Sequence, residues 1–206
     1  MIETKPYDFV FLRHGESVGN AEERFQGQTD YPLTDMGRRQ AEKLAERWVK
    51  EGIRLDLAVT SPLCRARETA RIIAGALELP VEVDPIWMER NAGEIAGLTR
   101  EETLERYPDT EYRTPYDAFG DSGEGDWELY LRAGTAVHGL LKRPPGRYLI
   151  VTHGGLLNKV MYAVLGIPVQ GHANGPRFRF GNTGFAAFSY LPRRHQWRML
   201  RLESPG

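Results

Sequence analysis

The chain has 206 residues, 41% of them hydrophobic and 27% charged, and its 27 basic side chains are nearly balanced by 28 acidic ones. This composition excludes an intrinsically disordered protein, and the length suits one buried core, so we expect a single domain over residues 1–206. The near-zero net charge argues against a nucleic-acid partner, so any affinity for anions must come from a local cluster of arginine and histidine.

Two features bear on where the protein works. The single cysteine, Cys64, has no partner for an intramolecular disulfide, so the chain needs no oxidising compartment. Residues 1–17 contain no apolar run long enough for a signal segment or a membrane span. We therefore expect a cytoplasmic protein with no membrane partner.

Strand and helix patterns alternate through the first half of the chain. Residues 7–12 predict a buried strand, and residues 35–50 carry apolar side chains at helical spacing after Thr34, a typical N-cap. Residues 55–60 predict a second strand, which leads into a helix with Arg65 in its first turn.

The alternation continues to the end of the chain. Residues 79–83 and 147–152 predict two more strands, the later one leading into a helix with an almost continuous apolar face, and residues 185–190 and 197–202 predict a closing hairpin. This order is typical of an α/β protein. We expect a three-layer αβα sandwich with a mostly parallel central sheet and a binding crevice at the carboxyl ends of its strands.

The pattern weakens between residues 86 and 125, where glycine, aspartate, tyrosine and proline are frequent and one helix is predicted near residues 99–107. A long stretch of this kind is often a lid over a binding site. We therefore expect a lid-like insertion within the domain.

Histidine follows two of the predicted strands. His14 comes after the first strand, beside Arg13, and His153 comes after the fourth, before two glycines that let a ligand approach the backbone. A lone histidine in such a place is most often a core or capping residue. Two imidazoles and an arginine at one sheet edge are a different case. Together they offer a nucleophile and positive charge to hold the phosphoryl oxygens, both of which phosphoryl transfer requires.

The string Leu12-Arg13-His14-Gly15-Glu16-Ser17 resembles the signature of the phosphoglycerate mutase-like histidine phosphatases. Four further motifs, in the same order along the chain, are similar to that family's substrate loop, second arginine motif, acid-bearing segment and second histidine motif. They are Arg24-Phe25-Gln26-Gly27, Ser61-Pro62-Leu63 with Arg65, Trp87-Met88-Glu89 with Gly93-Glu94, and Thr152-His153-Gly154-Gly155. On these motifs the chain is identified as a member of the histidine phosphatase superfamily, in its small phosphatase branch.

The resemblance implies a role for each core residue. His14 would attack phosphorus and become transiently phosphorylated, while Arg13, Arg65 and His153 would hold the phosphoryl oxygens. The backbone carbonyl of Gly15 would fix the tautomer of His14, and the arginines would disfavour its imidazolium form.

The resemblance also implies a general acid and base, Glu89, for which Glu94 is the rival. No cofactor is implied, and no metal, because the sequence offers no cluster of metal ligands and the arginines do a cation's electrostatic work. Asn182 is expected to be a plain turn residue, with an approach to the site from another loop as the alternative. Further substrate contacts are expected at Asn20, Gln26, Gly27 and Gly154.

The resemblance does not by itself distinguish a phosphatase from a mutase, since the family contains both. The mutases have an aromatic residue where this chain has Ala92, and their insertion with paired arginines is missing, which leaves only the isolated Arg106 and Arg113. This favours a phosphatase acting on small-molecule phosphomonoesters. A cofactor-dependent phosphoglycerate mutase is the alternative, and a non-catalytic binding protein on the same fold is a remote one.

Some questions stay open at this point. The family's Gly-Gly-Glu-Ser stretch is replaced by Ser122-Gly123-Glu124-Gly125, which leaves the role of Glu124 undecided. The organic part of the substrate and the oligomeric state, with a homodimer as one option, are equally undecided. Aromatic residues that could line the substrate site, although burial in the core is commoner for this residue type, are Phe25, Tyr31, Trp87, Tyr116 and Trp127.

Overall fold

The fold is built on one central sheet. The computed structural model describes residues 6–108, 114–170 and 175–205. Within them the strands are β1 (Tyr7–Arg13), β2 (Leu57–Thr60), β3 (Val81–Val83), β4 (Arg147–Thr152), β5 (Phe185–Leu191) and β6 (Gln196–Glu203). Their order in the sheet is β3-β2-β4-β1-β5-β6. The first four run parallel, β5 is antiparallel to β1, and β6 is antiparallel to β5, so the predicted mostly parallel sheet is confirmed.

Helices cover both faces of this sheet. They are α1 (Val18–Ala21), α2 (Asp35–Lys50), α3 (Cys64–Leu77), α4 (Arg100–Arg106), α5 (Asp126–Leu141) and α6 (Gly154–Leu165). Helices α2 and α3 pack together in one core cluster, and α5 and α6 pack together in the other. The predicted three-layer αβα architecture is thereby confirmed.

Strand β1 is buried from both sides because its side chains alternate between the two cores. Phe9 and Phe11 belong to the core beneath α5 and α6, whereas Val10 and Leu12 pack in the core beneath α2 and α3. Burying each phenylalanine side chain contributes about 1.5–3 kcal/mol. This burial fixes the position of Arg13 and of the residues that follow the strand.

The predicted boundaries hold closely for α2 and shift at two strands. Thr34 caps α2 by accepting a hydrogen bond from the N–H of Gly37. β2 begins at Leu57, two residues later than predicted. At Asp56 the side-chain carboxylate, and not a backbone carbonyl, accepts the hydrogen bond from the N–H of Arg147. β3 also begins two residues late, because the N–H of Leu79 still closes the end of α3.

Helix α5 was not assigned from the sequence pattern. Its buried residues, such as Leu129, Ala133 and Val137, lie at helical spacing, but Trp127 and Leu131 are apolar and exposed. Apolar residues on both sides blur the expected stripe, and the helix is held by packing on α6.

Residues 86–125 form irregular chain around two 3₁₀ turns and α4, and residues 109–113 of this segment, which include Arg113, lie outside the described part. The segment is tied to the loop after α1, since the N–H of Phe25 donates to Leu98 and the N–H of Gly97 donates to Phe25. Trp87 is core as expected, whereas Phe25, Trp127 and above all Tyr116, which is 71% exposed, are not, so core burial was wrong for these three. No helix in the described ranges is both long and apolar enough to cross a membrane.

Candidate active site

Three parallel strands end at one place and bring polar side chains together there. β1 and β4 pair Arg13 with Thr152, so the next residues, His14 and His153, lie side by side. Their ring centroids are 5.1 Å apart at an interplanar angle of 60°, and both residues are buried. The predicted meeting of the two imidazoles is confirmed.

The hydrogen bonding of His14 determines which of its nitrogens can react. Nδ1 lies 2.6 Å from the carbonyl oxygen of Gly15. A carbonyl only accepts, so in the neutral ring Nδ1 carries the proton and the lone pair is on Nε2. Burial, followed by the charges of Arg13 and Arg65, lowers the pKa of His14 well below 6.5. The ring is therefore neutral, with an available lone pair, at pH 7.

His153 is anchored from the third strand. Its Nε2 lies 2.8 Å from Oγ of Ser61, the residue after β2, and both groups are buried. Burial, with the charges of Arg65, His14 and Arg13, holds the pKa of His153 well below 6.5 as well. Ser61 was not singled out for this contact, although a polar residue directly after a buried strand was a usable signal.

Two arginines flank the imidazoles and are themselves tied to the backbone. Arg65 is buried and donates from Nη1 to Thr29 O and from Nη2 to Gly27 O, each at 2.8 Å. Arg13 donates from Nη1 to Phe180 O at 2.6 Å. Desolvation lowers the pKa of both guanidiniums, which still remain charged at neutral pH. Both are therefore held rigidly in the charged form.

The same cluster contains three buried nitrogens without a hydrogen-bond partner: Arg13 Nε, Arg65 Nε and His153 Nδ1. They are the buried side-chain polar atoms of the described residues that lack one. An unpaired buried donor costs about 1–3 kcal/mol. His153 Nδ1 is a donor when Nε2 of the same ring accepts from Ser61 Oγ. Three donors within one cluster fit a ligand with several acceptor oxygens, such as a phosphoryl group.

Glu89 joins this cluster across the start of α6. Its Oε2 accepts from the N–H of Gly155 at 2.9 Å, and its Oε1 accepts from the N–H of Leu156 at 3.0 Å. Its charge counteracts the effect of burial on the pKa of Arg13 and Arg65. The rival Glu94 instead binds Ser122 and Asp121 within its own loop. The structure thus brings Glu89, and not Glu94, to the two arginines.

Glu124, whose role was undecided, holds Arg132 of α5. Both carboxylate oxygens of Glu124 accept from the Arg132 guanidinium, at 2.7 and 2.6 Å. The same guanidinium donates to the backbone carbonyls of Ile86, Met88 and Glu89. The pair fixes the backbone that carries Glu89, and Arg132 was missed because its helix was not assigned.

Two predicted substrate contacts hold the loop next to His14. Oδ1 of Asn20 accepts from Asn182 Nδ2 at 3.1 Å, and Oε1 of Gln26 accepts from Ser17 Oγ at 2.7 Å. Asn182 Nδ2 also lies 3.3 Å from His14 O, so the expectation of a plain turn residue was wrong and the alternative, an approach to the site from another loop, is confirmed. Contacts of Asn20 and Gln26 with substrate stay predictions.

The two predicted site glycines differ in whether the structure leaves space for a side chain. Gly27 has a φ of 51°, and a Cβ there would lie 2.6 Å from the Cβ of Ala92. Glycine is therefore required where the loop offers its carbonyl to Arg65. A Cβ at Gly154 would meet Arg13 Nε at an ordinary 3.6 Å.

In the described part of the chain, no group of three or more His, Cys, Asp or Glu side chains is placed to hold a metal ion.

Gly155→Ala is expected to lower kcat about 10-fold or more with little loss of stability. A Cβ at Gly155 would lie 2.6 Å from Glu89 Oε1, the end of a flexible side chain, so the carboxylate would move rather than the backbone. The measurement is steady-state phosphate release together with the melting temperature. Gly75→Ala adds the same methyl group on α3, where nothing lies within 4 Å of the new Cβ, so it should leave kcat unchanged. An equal loss of kcat in both variants would contradict displacement of Glu89.

Comparisons with known proteins support the family resemblance of the motifs. The family model described as the histidine phosphatase superfamily (branch 1) matches residues 9–204. The chain is 37% identical over 185 residues to a protein of Enterobacter sp. (strain 638) named probable phosphoglycerate mutase GpmB, covering 87% of this chain and 83% of that one.

Solved structures match over almost the whole chain. A mycobacterial glucosyl-3-phosphoglycerate phosphatase in complex with VO3 superposes with a TM-score of 0.82 at 30% identity, covering 97% of this chain and 100% of that one. Bacillus stearothermophilus YhfR superposes with a TM-score of 0.83 at 29% identity, covering 97% of this chain and 98% of that one.

Proposed function

The chain belongs to branch 1 of the histidine phosphatase superfamily, and we propose that it is a phosphatase that hydrolyses small-molecule phosphomonoesters through a phosphohistidine at His14. The observation that carries this proposal is the bond from His14 Nδ1 to Gly15 O, which leaves the lone pair on Nε2 inside a cluster with unpaired arginine donors. A neutral imidazole beside two guanidiniums has what attack on a phosphoryl group needs.

The first half-reaction transfers the phosphoryl group to the protein. The lone pair of His14 Nε2 forms a bond to phosphorus as the bond from phosphorus to the alcohol oxygen breaks. Arg13, Arg65 and His153 hold the three phosphoryl oxygens. Glu89, which takes up a proton from solvent when the anionic ester binds beside it, gives that proton to the departing oxygen. The products of this step are the free alcohol, phosphohistidine and the Glu89 carboxylate.

The second half-reaction returns the protein to its starting state. The Glu89 carboxylate takes a proton from a water molecule, whose oxygen attacks phosphorus while the bond to Nε2 breaks. Phosphate leaves, the lone pair returns to His14, and Glu89 is protonated again. No step draws on a metal ion, because the two guanidiniums neutralise the charge on the phosphoryl oxygens and His153 adds a hydrogen bond to them.

Relatives support both a hydrolase and a mutase. The mycobacterial relative is a phosphatase and binds the oxyanion VO3, whereas the Enterobacter relative is named a probable mutase. A mutase must retain a bisphosphate between its half-reactions, which calls for additional cations near the site. We favour hydrolysis because Ala92 replaces the mutases' aromatic residue and their paired arginines are missing from the sequence.

The test uses p-nitrophenyl phosphate, whose leaving group departs without a proton, and the variant Glu89→Gln. We expect a burst of about one nitrophenol per chain followed by slow turnover, because the first step proceeds and the activation of water is lost. The trapped protein should carry acid-labile, base-stable phosphate on His14, and turnover of the unchanged protein should persist in EDTA.

Two outcomes would contradict the proposal. Label on a residue other than His14, or no label and no turnover, would exclude a phosphohistidine enzyme. Phosphate that moves between the positions of phosphoglycerate without release into solution would establish a mutase.

A further inference from the structure

A cavity of about 560 Å³ lies beside the segment that carries Glu89. Gln28 on its wall donates from Nε2 to the backbone carbonyl of Glu89 at 3.1 Å, and Asn91 on its wall follows Glu89 by two residues. The lining residues are Gln28, Asn91, Tyr116, Ala118, Ser122, Gly123, Glu124 and Glu128.

The position of the cavity matches the side on which the alcohol part of a substrate would lie. In phosphoryl transfer the nucleophile and the leaving oxygen are roughly in line on opposite sides of phosphorus. The leaving oxygen is the one that Glu89 protonates, so the alcohol extends from the phosphoryl site toward Glu89. The cavity is bordered by Gln28, which follows the Gly27 that binds Arg65, and by Asn91, two residues after Glu89, so it is the space to which we assign the alcohol.

The walls offer hydrogen-bonding groups and negative charge. Amides come from Gln28 and Asn91, hydroxyls come from Ser122 and Tyr116, and no lysine, arginine or histidine is among the described lining residues. Such groups bind hydroxyl and ammonium groups well but provide no counter-charge for an acid.

The two lining carboxylates differ in whether a cation pairs with them. Glu124 is paired with Arg132 at 2.6 Å, so its charge is matched. Glu128 accepts a hydrogen bond from the uncharged N–H of Gly125, and no salt bridge to it occurs among the described residues. Arg90, on the same segment as Glu89, is already paired with Asp126. Among the described lining residues, the net charge is therefore negative and comes from Glu128.

We infer that this cavity receives the alcohol part of the substrate and favours uncharged hydroxyl-rich or cationic amino alcohols over alcohols that carry a carboxylate or a second phosphate. The inference rests on the proposed phosphatase function and adds the substrate class. It depends on two independent features, the absence of a basic side chain among the described lining residues and the unbalanced carboxylate of Glu128.

The test compares two esters of similar size, glycerol 3-phosphate and 3-phosphoglycerate, in which a CH₂OH group is replaced by a carboxylate. We expect kcat/KM to be at least about tenfold higher for glycerol 3-phosphate, because the carboxylate would lose water without gaining a cation. Glu128→Gln should reduce this preference about two- to fivefold, as expected for one exposed charge, mainly by improving 3-phosphoglycerate.

A matched control is available at Glu102. Glu102 is the third residue of α4 and accepts the N–H of the N-cap Thr99, as Glu128 in α5 accepts the N–H of Gly125, but Glu102 does not line the cavity. Glutamine retains the side-chain oxygen that accepts the capping N–H in each case, so Glu102→Gln should leave the preference unchanged. If both variants change it equally, or neither does, Glu128 does not select the substrate.

Turnover of p-nitrophenyl phosphate separates this inference from the function it rests on. If that ester is hydrolysed in a His14-dependent way and 3-phosphoglycerate is used as well as or better than glycerol 3-phosphate, the inference is overturned and the phosphatase stands. If that ester is not hydrolysed, the proposed function itself fails. Should both glycerol-derived esters turn over too slowly, their inhibition constants against p-nitrophenyl phosphate are expected to show the same order, and the reverse order would overturn the inference.

Discussion

His14→Ala is expected to lower the kcat for phosphate release by at least about 10⁴-fold and to abolish acid-labile phosphate on the protein. Alanine removes Nε2, the atom that the Nδ1–Gly15 bond leaves as a free nucleophile. Loss of a covalent nucleophile typically costs this much, even when the groups that hold the transferred group remain in place. The measurement is single-turnover release of nitrophenol and of phosphate.

The control for this prediction is His138→Ala. His138 lies exposed in the last turn of α5, so its removal should change neither activity nor the melting temperature appreciably. Because His14 is buried, its variant must first be shown to remain folded. A folded His14→Ala protein that retains more than about a tenth of the activity would exclude His14 as the nucleophile.

The positions of His14 and His153 could be predicted because they depend on local sequence alone. A buried strand delivers the residue after it to the carboxyl edge of a parallel sheet, and β1 and β4 are adjacent in the observed order. The same reasoning placed Arg65 in the first turn of α3 after β2, but its role in the site came only from the family resemblance. The order and chemistry of the motifs then pointed to the family.

The contacts that fix these side chains could not be predicted, since they join segments far apart in the chain. Arg13 donates to Phe180 O across 167 positions, and Asn182 reaches His14 across 168. Such contacts leave no periodic pattern in the sequence, because they depend on how the loop before β5 passes over the end of β1. Arg132 was hidden for a different reason, namely that its helix has apolar residues on both sides.

Arg65→Lys is expected to lower kcat/KM by about 10²–10³-fold, with a larger share in kcat than in KM. The guanidinium of Arg65 donates to Thr29 O and Gly27 O and still has Nε for the substrate. A single ammonium cannot make that set of contacts at fixed angles, and the missing donor to the transferring group costs about 3–4 kcal/mol of transition-state stabilisation. The measurement is the steady-state kinetics of p-nitrophenyl phosphate hydrolysis.

Arg71→Lys is the matched control, because Arg71 lies on the same helix and is exposed, and it should leave the kinetics unchanged. The lysine side chain introduced in Arg65→Lys would also be desolvated, which disfavours the charged form of lysine far more readily than that of arginine. Activity of Arg65→Lys should therefore fall further as the pH rises, because the ammonium loses its proton, while the unchanged protein keeps its charge there. A pH profile parallel to that of the unchanged protein, with less than about a threefold loss, would mean that the guanidinium at position 65 serves the loop and not the phosphoryl group.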